Sequence, residues 1–187
     1  MAFKRGLPGV FLVFCLLVAG PASWAEAEPR SEPVVLTVAG NISNPNRGAV
    51  DPFLDAFFHF SDVGFERARS FGVSDLRALG MKRLSVRYPD WPRGYVFEGP
   101  LLQDVLAAAG ATGTVVRVQA LDGYFAEIPM EEVRKFPILL AIKRDGSFIG
   151  IGDRGPAWVV FPRDDYDELR DRDDAQWVWS AYFIAVD

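Results

Sequence analysis

Two Asp-Gly dipeptides constrain this chain more than any other feature. Asp122-Gly123 separates TVVRVQAL from YFAEI, and Asp145-Gly146 separates ILLAIKR from SFIGI. The tip of a tight hairpin needs left-handed backbone, which glycine adopts freely and aspartate tolerates. The flanking runs are rich in β-branched and aromatic residues, so each dipeptide predicts a hairpin between two strands. A chain with two such hairpins must build antiparallel sheet. Further strands are predicted at Val34–Gly40, over Met81–Tyr88, in AWVVF (157–161) and through WVWSAYFIAV (177–186).

Helices are fewer and shorter. In GPLLQDVLAAAG, Pro100 suits a first helical position and Leu101, Leu102, Val105 and Leu106 make one apolar face, with Gly110 as terminator. Ser74–Gly80 reads as two turns capped by its serine, and PMEEVRKF as a short helix with acids at its start. Phe53–Phe60 is an aromatic run of helical length, and Asn41–Gly48 is a loop. The sum is a mixed α+β domain, mainly β, occupying residues 34–187.

The first residues have the form of an export signal. Lys4 and Arg5 precede an apolar run from Val10 to Gly20, and Ser23-Trp24-Ala25 offers small residues for cleavage near Ala25. The run is too short to span a bilayer. The expectation is a periplasmic protein with a signal at 1–25, a flexible leader at 26–33 and no membrane insertion after cleavage. The only cysteine, Cys15, lies inside that signal. The formal net charge of −5, more negative once Lys4 and Arg5 leave, argues against nucleic acid and anionic lipid as partners. With one histidine, His59, the chain is poorly supplied with ligands for zinc, haem or an iron–sulfur cluster. His59 reads as a packed or capping residue among Phe57, Phe58 and Phe60. The acid-rich stretch Arg163–Asp174 lacks the glycine-centred spacing of a calcium loop and reads as a solvated turn or helix, and as a candidate contact for a partner.

Taken in order, LTVAGNISNPN, FEGPLLQDVLAAAGA, VQALDGYFAEIP, LLAIKRDGSFIGIGDRGPAWVVFP and QWVWSAYFIAV resemble the molybdopterin-binding domain of the sulfite oxidase family, over most of 34–187. The resemblance implies that family's fold. It also marks a departure. Family enzymes hold molybdenum through a cysteine thiolate on the stretch before a Pro/Trp loop, and here that stretch, RLSVRYPDWPRG (83–94), has no cysteine. Lys4-Arg5 followed by Gly6-Leu7 also departs from the twin-arginine signal that a folded metallo-pterin protein requires for export. Size, signal and missing cysteine look most like a small periplasmic subgroup that binds free pterins, oxidised or reduced, without molybdenum. The role implied is a regulator of a membrane-bound cyclic-di-GMP signalling enzyme, reached through that enzyme's periplasmic domain, with biofilm formation as the process. The alternative is a molybdopterin-dependent oxidoreductase with a non-cysteine ligand.

A pterin needs a flat surface to stack on and paired acceptors for its amide N–H and 2-amino group. Under the resemblance, three loops supply them: Arg87, Tyr88 and Trp91; Asp122 and Tyr124; and Asp153, Arg154, Gly155 and Trp158. Trp91 or Trp158 would stack, Asp122 or Asp153 would take the amide edge, and Arg87 or Arg154 would bind the C4 carbonyl or side-chain hydroxyls. The stretch from Gly152 to Pro162 would make room for the edge of the ring. Each residue also has a structural reading. Asp122-Gly123 can be only a turn, Trp158 only core, and Asp153 and Arg154 a surface ion pair. Trp177 and Trp179 read as packing on one face of the last strand.

Overall fold

The computed structural model describes residues 31–187, so the expected export signal and most of the expected leader lie outside the described residues. β1 (Val34–Gly40), β2 (Ala68–Gly72), β5 (Val115–Ala120), β6 (Phe125–Pro129) and β11 (Ala181–Val186) form a five-stranded sheet ordered β2-β1-β11-β5-β6. β1 and β11 pair in parallel, Thr37 opposite Phe183 and Gly40 opposite Val186. The other neighbours in this sheet are antiparallel. β1 and β11 are buried along most of their lengths, which explains their mostly apolar sequences, with the hydroxyl of the buried Thr37 hydrogen-bonded to that of Ser70 (3.3 Å). β6 lies at the edge and alternates between exposed and buried residues.

A four-stranded sheet runs β3 (Lys82–Val86), β4 (Tyr95–Gly99), β8 (Lys143–Arg144), β9 (Ser147–Phe148), and β7 (Leu139–Ala141) pairs with β10 (Trp158–Val160). Both Asp-Gly hairpins form as predicted, between β5 and β6 and between β8 and β9. At the second, Asp145 and Gly146 both have positive φ (49° and 82°). The run ILLAIKR, however, is two strands. Its first half pairs with β10, and its second half pairs with β4. Ile142 N–H crosses to the Glu98 carbonyl (2.9 Å) and Leu140 N–H to that of Pro100 (2.9 Å), so β4 lies against the run at its division. Gly99 permits this approach, because a Cβ there would overlap the Leu140 carbonyl oxygen.

α1 (Ala56–Phe60), α2 (Val73–Ala78), α3 (Leu102–Ala109), α4 (Met130–Lys135) and α5 (Asp167–Arg170) are all short. α3 buries Leu102, Val105, Leu106 and Ala109, and Gly110 ends it in the left-handed region at φ 68°. Pro100 stands before this helix, with Leu101 as its N-cap, because the Leu102 N–H is held by the Ile138 carbonyl (2.8 Å). Ser74 is likewise not a cap. The Asp75 carboxylate accepts the N–H of Gly72, the actual cap, and Ser74 N–H turns to Glu32. His59 is exposed, one residue round the helix from Phe58, which faces the sheet. No helix among the described residues is long and apolar enough to cross a membrane.

The last strand is shorter than its sequence predicts. Ser180 has φ 53°, and β11 starts only at Ala181, so Trp177–Trp179 run outside the five-stranded sheet. One large core cluster fills the space between the sheets and α3. A smaller one joins Tyr182, Phe183 and Ala68 to Phe58, Phe65 and Leu121.

Gly99→Ala is expected to destabilise the protein by about 3 kcal/mol, the upper end for overpacking, because backbone and not a flexible side chain stands in the way. Gly123→Ala, whose Cβ meets open space at φ 88°, should cost only about 1–2 kcal/mol of backbone strain. Chemical denaturation of the two variants checks the order. A second expectation concerns Tyr182, whose phenol is pushed up in pKa by burial, against a smaller opposing pull from Ser61. Below pH about 10 both folded and unfolded chains keep that proton; above it the unfolded chain loses it first. Stability should therefore fall as pH rises past about 10, and Tyr182→Phe should lessen the fall.

Candidate functional site

The β5–β6 hairpin carries the first wall of a cavity. Gly123 N–H returns to the Ala120 carbonyl (3.0 Å) and Asp122 Oδ1 accepts the Tyr124 N–H (3.0 Å), so the turn orients the carboxylate. Among the described residues no group hydrogen-bonds its other oxygen. The Tyr124 hydroxyl donates to the Ala175 carbonyl (2.7 Å) and ties the hairpin to the segment entering β11.

That segment is stitched down at two more points. Trp158 Nε1 donates to the Trp177 carbonyl (3.1 Å), and Ser180 N–H donates to the Arg154 carbonyl (2.9 Å). From this segment Asp174, Trp177 and Trp179 face the hairpin across a cavity of about 250 Å³. Trp91 and Trp158 close it from the side of the Pro-rich loop, and Arg154 from the loop before β10.

Trp91 is the hub of the aromatic wall. Its ring lies 5.4 Å from Trp158, 5.8 Å from Trp177 and from Phe97, 5.7 Å from Tyr95 and 5.9 Å from Tyr88. It is half-buried, so it belongs to core and cavity together. Arg154 places its guanidinium 4.9 Å from the Trp158 ring and 5.4 Å from that of Trp179. Such cation–π contacts contribute about 0.5–1 kcal/mol when exposed. No carboxylate among the described residues pairs with Arg154. A second cavity of about 80 Å³, lined by Pro92, Tyr95 and Arg144, adjoins the first at Trp91, Arg154 and Trp158.

Five of the sequence-predicted residues thus meet around one space: Trp91, Asp122, Tyr124, Arg154 and Trp158. Four do not line it. Arg87 N–H donates to Asp164 (2.9 Å), and its side chain borders a separate groove with Arg93 and Asp145. Tyr88 packs behind Trp91 and Trp177 beneath the Arg163 guanidinium, and burial followed by the nearby charge of Asp174 pushes its phenol pKa up. Asp153 pairs with Arg144 through both oxygens (3.1 and 3.0 Å), in place of the expected pair with Arg154. Gly155 is buried where a Cβ would overlap the Ile149 carbonyl oxygen, so the close approach it permits is to its own chain.

Sequence reasoning missed Asp174, Trp177 and Trp179. The two tryptophans alternate with Val178 in the manner of one strand face, and nothing in the residue types announces the turn at Ser180. Asp174 is hidden at the end of an acid-rich stretch.

The wall offers flat apolar faces, two carboxylates and one guanidinium. That is equipment for holding a planar molecule with hydrogen-bond donors on one edge and an acceptor on another. Among the described residues no group of three or more His, Cys, Asp or Glu side chains is placed to hold a metal ion. Compared with protein-family models and with curated proteins, the chain matches none.

Because Trp91 makes five ring contacts, Trp91→Ala should lower unfolding free energy by about 3 kcal/mol as well as alter the cavity. Trp179→Ala, at a residue 41% exposed, should change it by less than about 1 kcal/mol. Urea unfolding of the two variants separates a wall that is also core from a wall that is only lining.

Proposed function

We propose that this chain is an exported pterin-binding regulator with a sulfite oxidase-like fold, acting without molybdenum. The observation that carries the reading is the pairing of a tryptophan wall with polar groups the protein itself leaves unused. One oxygen of Asp122, the Asp174 carboxylate and the Arg154 guanidinium border the cavity without an ion-pair partner among the described residues. A carboxylate accepts the amide N–H and 2-amino group of a pterin in parallel, and a guanidinium donates to its C4 carbonyl. Stacking on tryptophan adds about 1–3 kcal/mol. A volume of about 250 Å³ lies just under the usual range for ligand sites, which suits one bicyclic ring better than a dinucleotide.

The residues fit the organic ring. The only cysteine of the chain is Cys15, so a molybdenum thiolate of the family's kind has no donor in residues 26–187. In this reading the protein is periplasmic, and its pterin-loaded form acts on the periplasmic domain of a membrane-bound cyclic-di-GMP enzyme.

Titration with oxidised pterin and with a tetrahydropterin tests it, followed by tryptophan fluorescence and thermal midpoint. Saturable quenching by at least one form is expected, with a rise in midpoint set by RT ln(1 + [L]/Kd). Asp122→Asn and Arg154→Ala should each weaken binding at least tenfold, about 1.4 kcal/mol. Unchanged affinity in both variants would remove this cavity from the reading, and no quenching by either form would end it. Stoichiometric molybdenum in protein purified from the periplasm would favour the oxidoreductase instead.

A further inference from the structure

Among the described residues, a cluster of exposed apolar side chains lies away from the cavity, on α1 and the turn before it. Phe53 and Phe60 are 86% and 82% exposed, and Leu54 and Phe57 are exposed with them. Phe57 and Phe60 lie three apart on α1, and Phe53 and Leu54 stand on the turn that leads into it. The backbone ties the turn to the helix, since Asp55 N–H bonds to the Asp51 carbonyl (2.8 Å) and His59 N–H to that of Asp55 (3.1 Å).

This face is held rigidly. Asp51 Oδ1 accepts the N–H groups of Phe53 and Leu54 (both 2.8 Å), and Asp55 pairs with Arg47. The half-exposed Phe57 sets its ring 5.0 Å from that of Tyr182, and Phe58 anchors the opposite side on Phe65, Tyr182 and Phe183. Exposed rings on a fixed backbone lose little entropy on contact, which is what an interface anchor requires. Contiguous exposed apolar patches on monomers mark interaction sites when they are this concentrated.

We propose that Phe53, Leu54, Phe57 and Phe60 form a docking face for a second protein, one that presents an apolar groove bracketed at both ends by lysine or arginine. Charge selects this occupant. Asp51 stands at one end of the segment and Asp62 at the other, and the nearby Arg47 is already neutralised by Asp55. The N–H groups of Leu54 and Phe53 hold the Asp51 carboxyl below its usual range, so that end stays anionic. Two copies of this chain paired through the face would set carboxylate against carboxylate in either orientation. An anionic bilayer would be repelled by the same two groups. An apolar ridge seated in a basic-rimmed groove satisfies both the rings and the charges. The face does not border the cavity, and the inference stands whether or not a pterin binds there.

Photo-crosslinking tests it, with benzoylphenylalanine in place of Phe53 in the full chain expressed in its native host. The expected product is one adduct with a different protein, mapped to an apolar groove with basic residues on both sides. Binding of that purified partner should weaken at least tenfold with Phe60→Ser and with Asp51→Lys, while thermal midpoint and pterin quenching stay those of the parent. Five results would overturn the proposal: no adduct, an adduct with a second copy, an adduct with residues 1–30 of the same chain, binding to phosphatidylglycerol vesicles, or a partner site without basic residues. Affinity unchanged in both variants would do the same.

Discussion

Ala157 and Ala181 are both fully buried and face each other across the bridge that joins β10 to the start of β11. That junction carries the five-stranded sheet into the rest of the molecule, and the chain on either side of it builds the cavity. Arg154 and Trp158 come from one arm, and Trp177 and Trp179 from the other. The hydrogen bond from Ser180 to Arg154 and the one from Trp158 to Trp177 are rungs of the same seam. Residues larger than alanine at the junction would push the arms apart in a well-packed interior. The cavity therefore exists because two small residues let two pieces of chain run close together.

The wall is largely prepared before anything binds. Trp91, Trp158 and Trp177 are locked by one another and by Phe97, Tyr88 and Phe161. A ligand meeting such a surface does not have to order it, so more of the stacking free energy is available as affinity. Arg154 is the exception. It lies on the tryptophan faces without an ion pair among the described residues, so a ring that enters can displace it without breaking a salt bridge.

Much of this was legible in the residues, and the failures share one cause. Both Asp-Gly hairpins, β1 and the end of α3 were readable because the controlling residues are local: a glycine at positive φ, or an apolar run of strand length. The division of ILLAIKR at Ile142 was not, since the run is continuous in sequence, with no glycine or proline to mark where Leu139–Ala141 leaves β10 and Lys143-Arg144 joins β4. The same holds at Ser180, where a residue of unremarkable type turns the chain and takes two tryptophans out of the expected strand. At the candidate site Asp122 and Tyr124 were named through the resemblance, since turn chemistry by itself accounts only for the hairpin that carries them. Gly155 was misjudged for a related reason: a glycine reports that something comes close, and the sequence does not say that the visitor is the carbonyl of Ile149.

The parallel pairing of β1 with β11 sets the first described strand beside the last, at the middle of the main sheet. A chain emerging end-first from a ribosome or a translocation channel cannot complete that pair until residues near 186 are free. Until then β2 and β1 have no inner neighbour, and the loop to be closed is nearly as long as the domain. The fold is thus finished only when β11 is available, and a truncation within that strand would remove the centre of the sheet rather than trim its border.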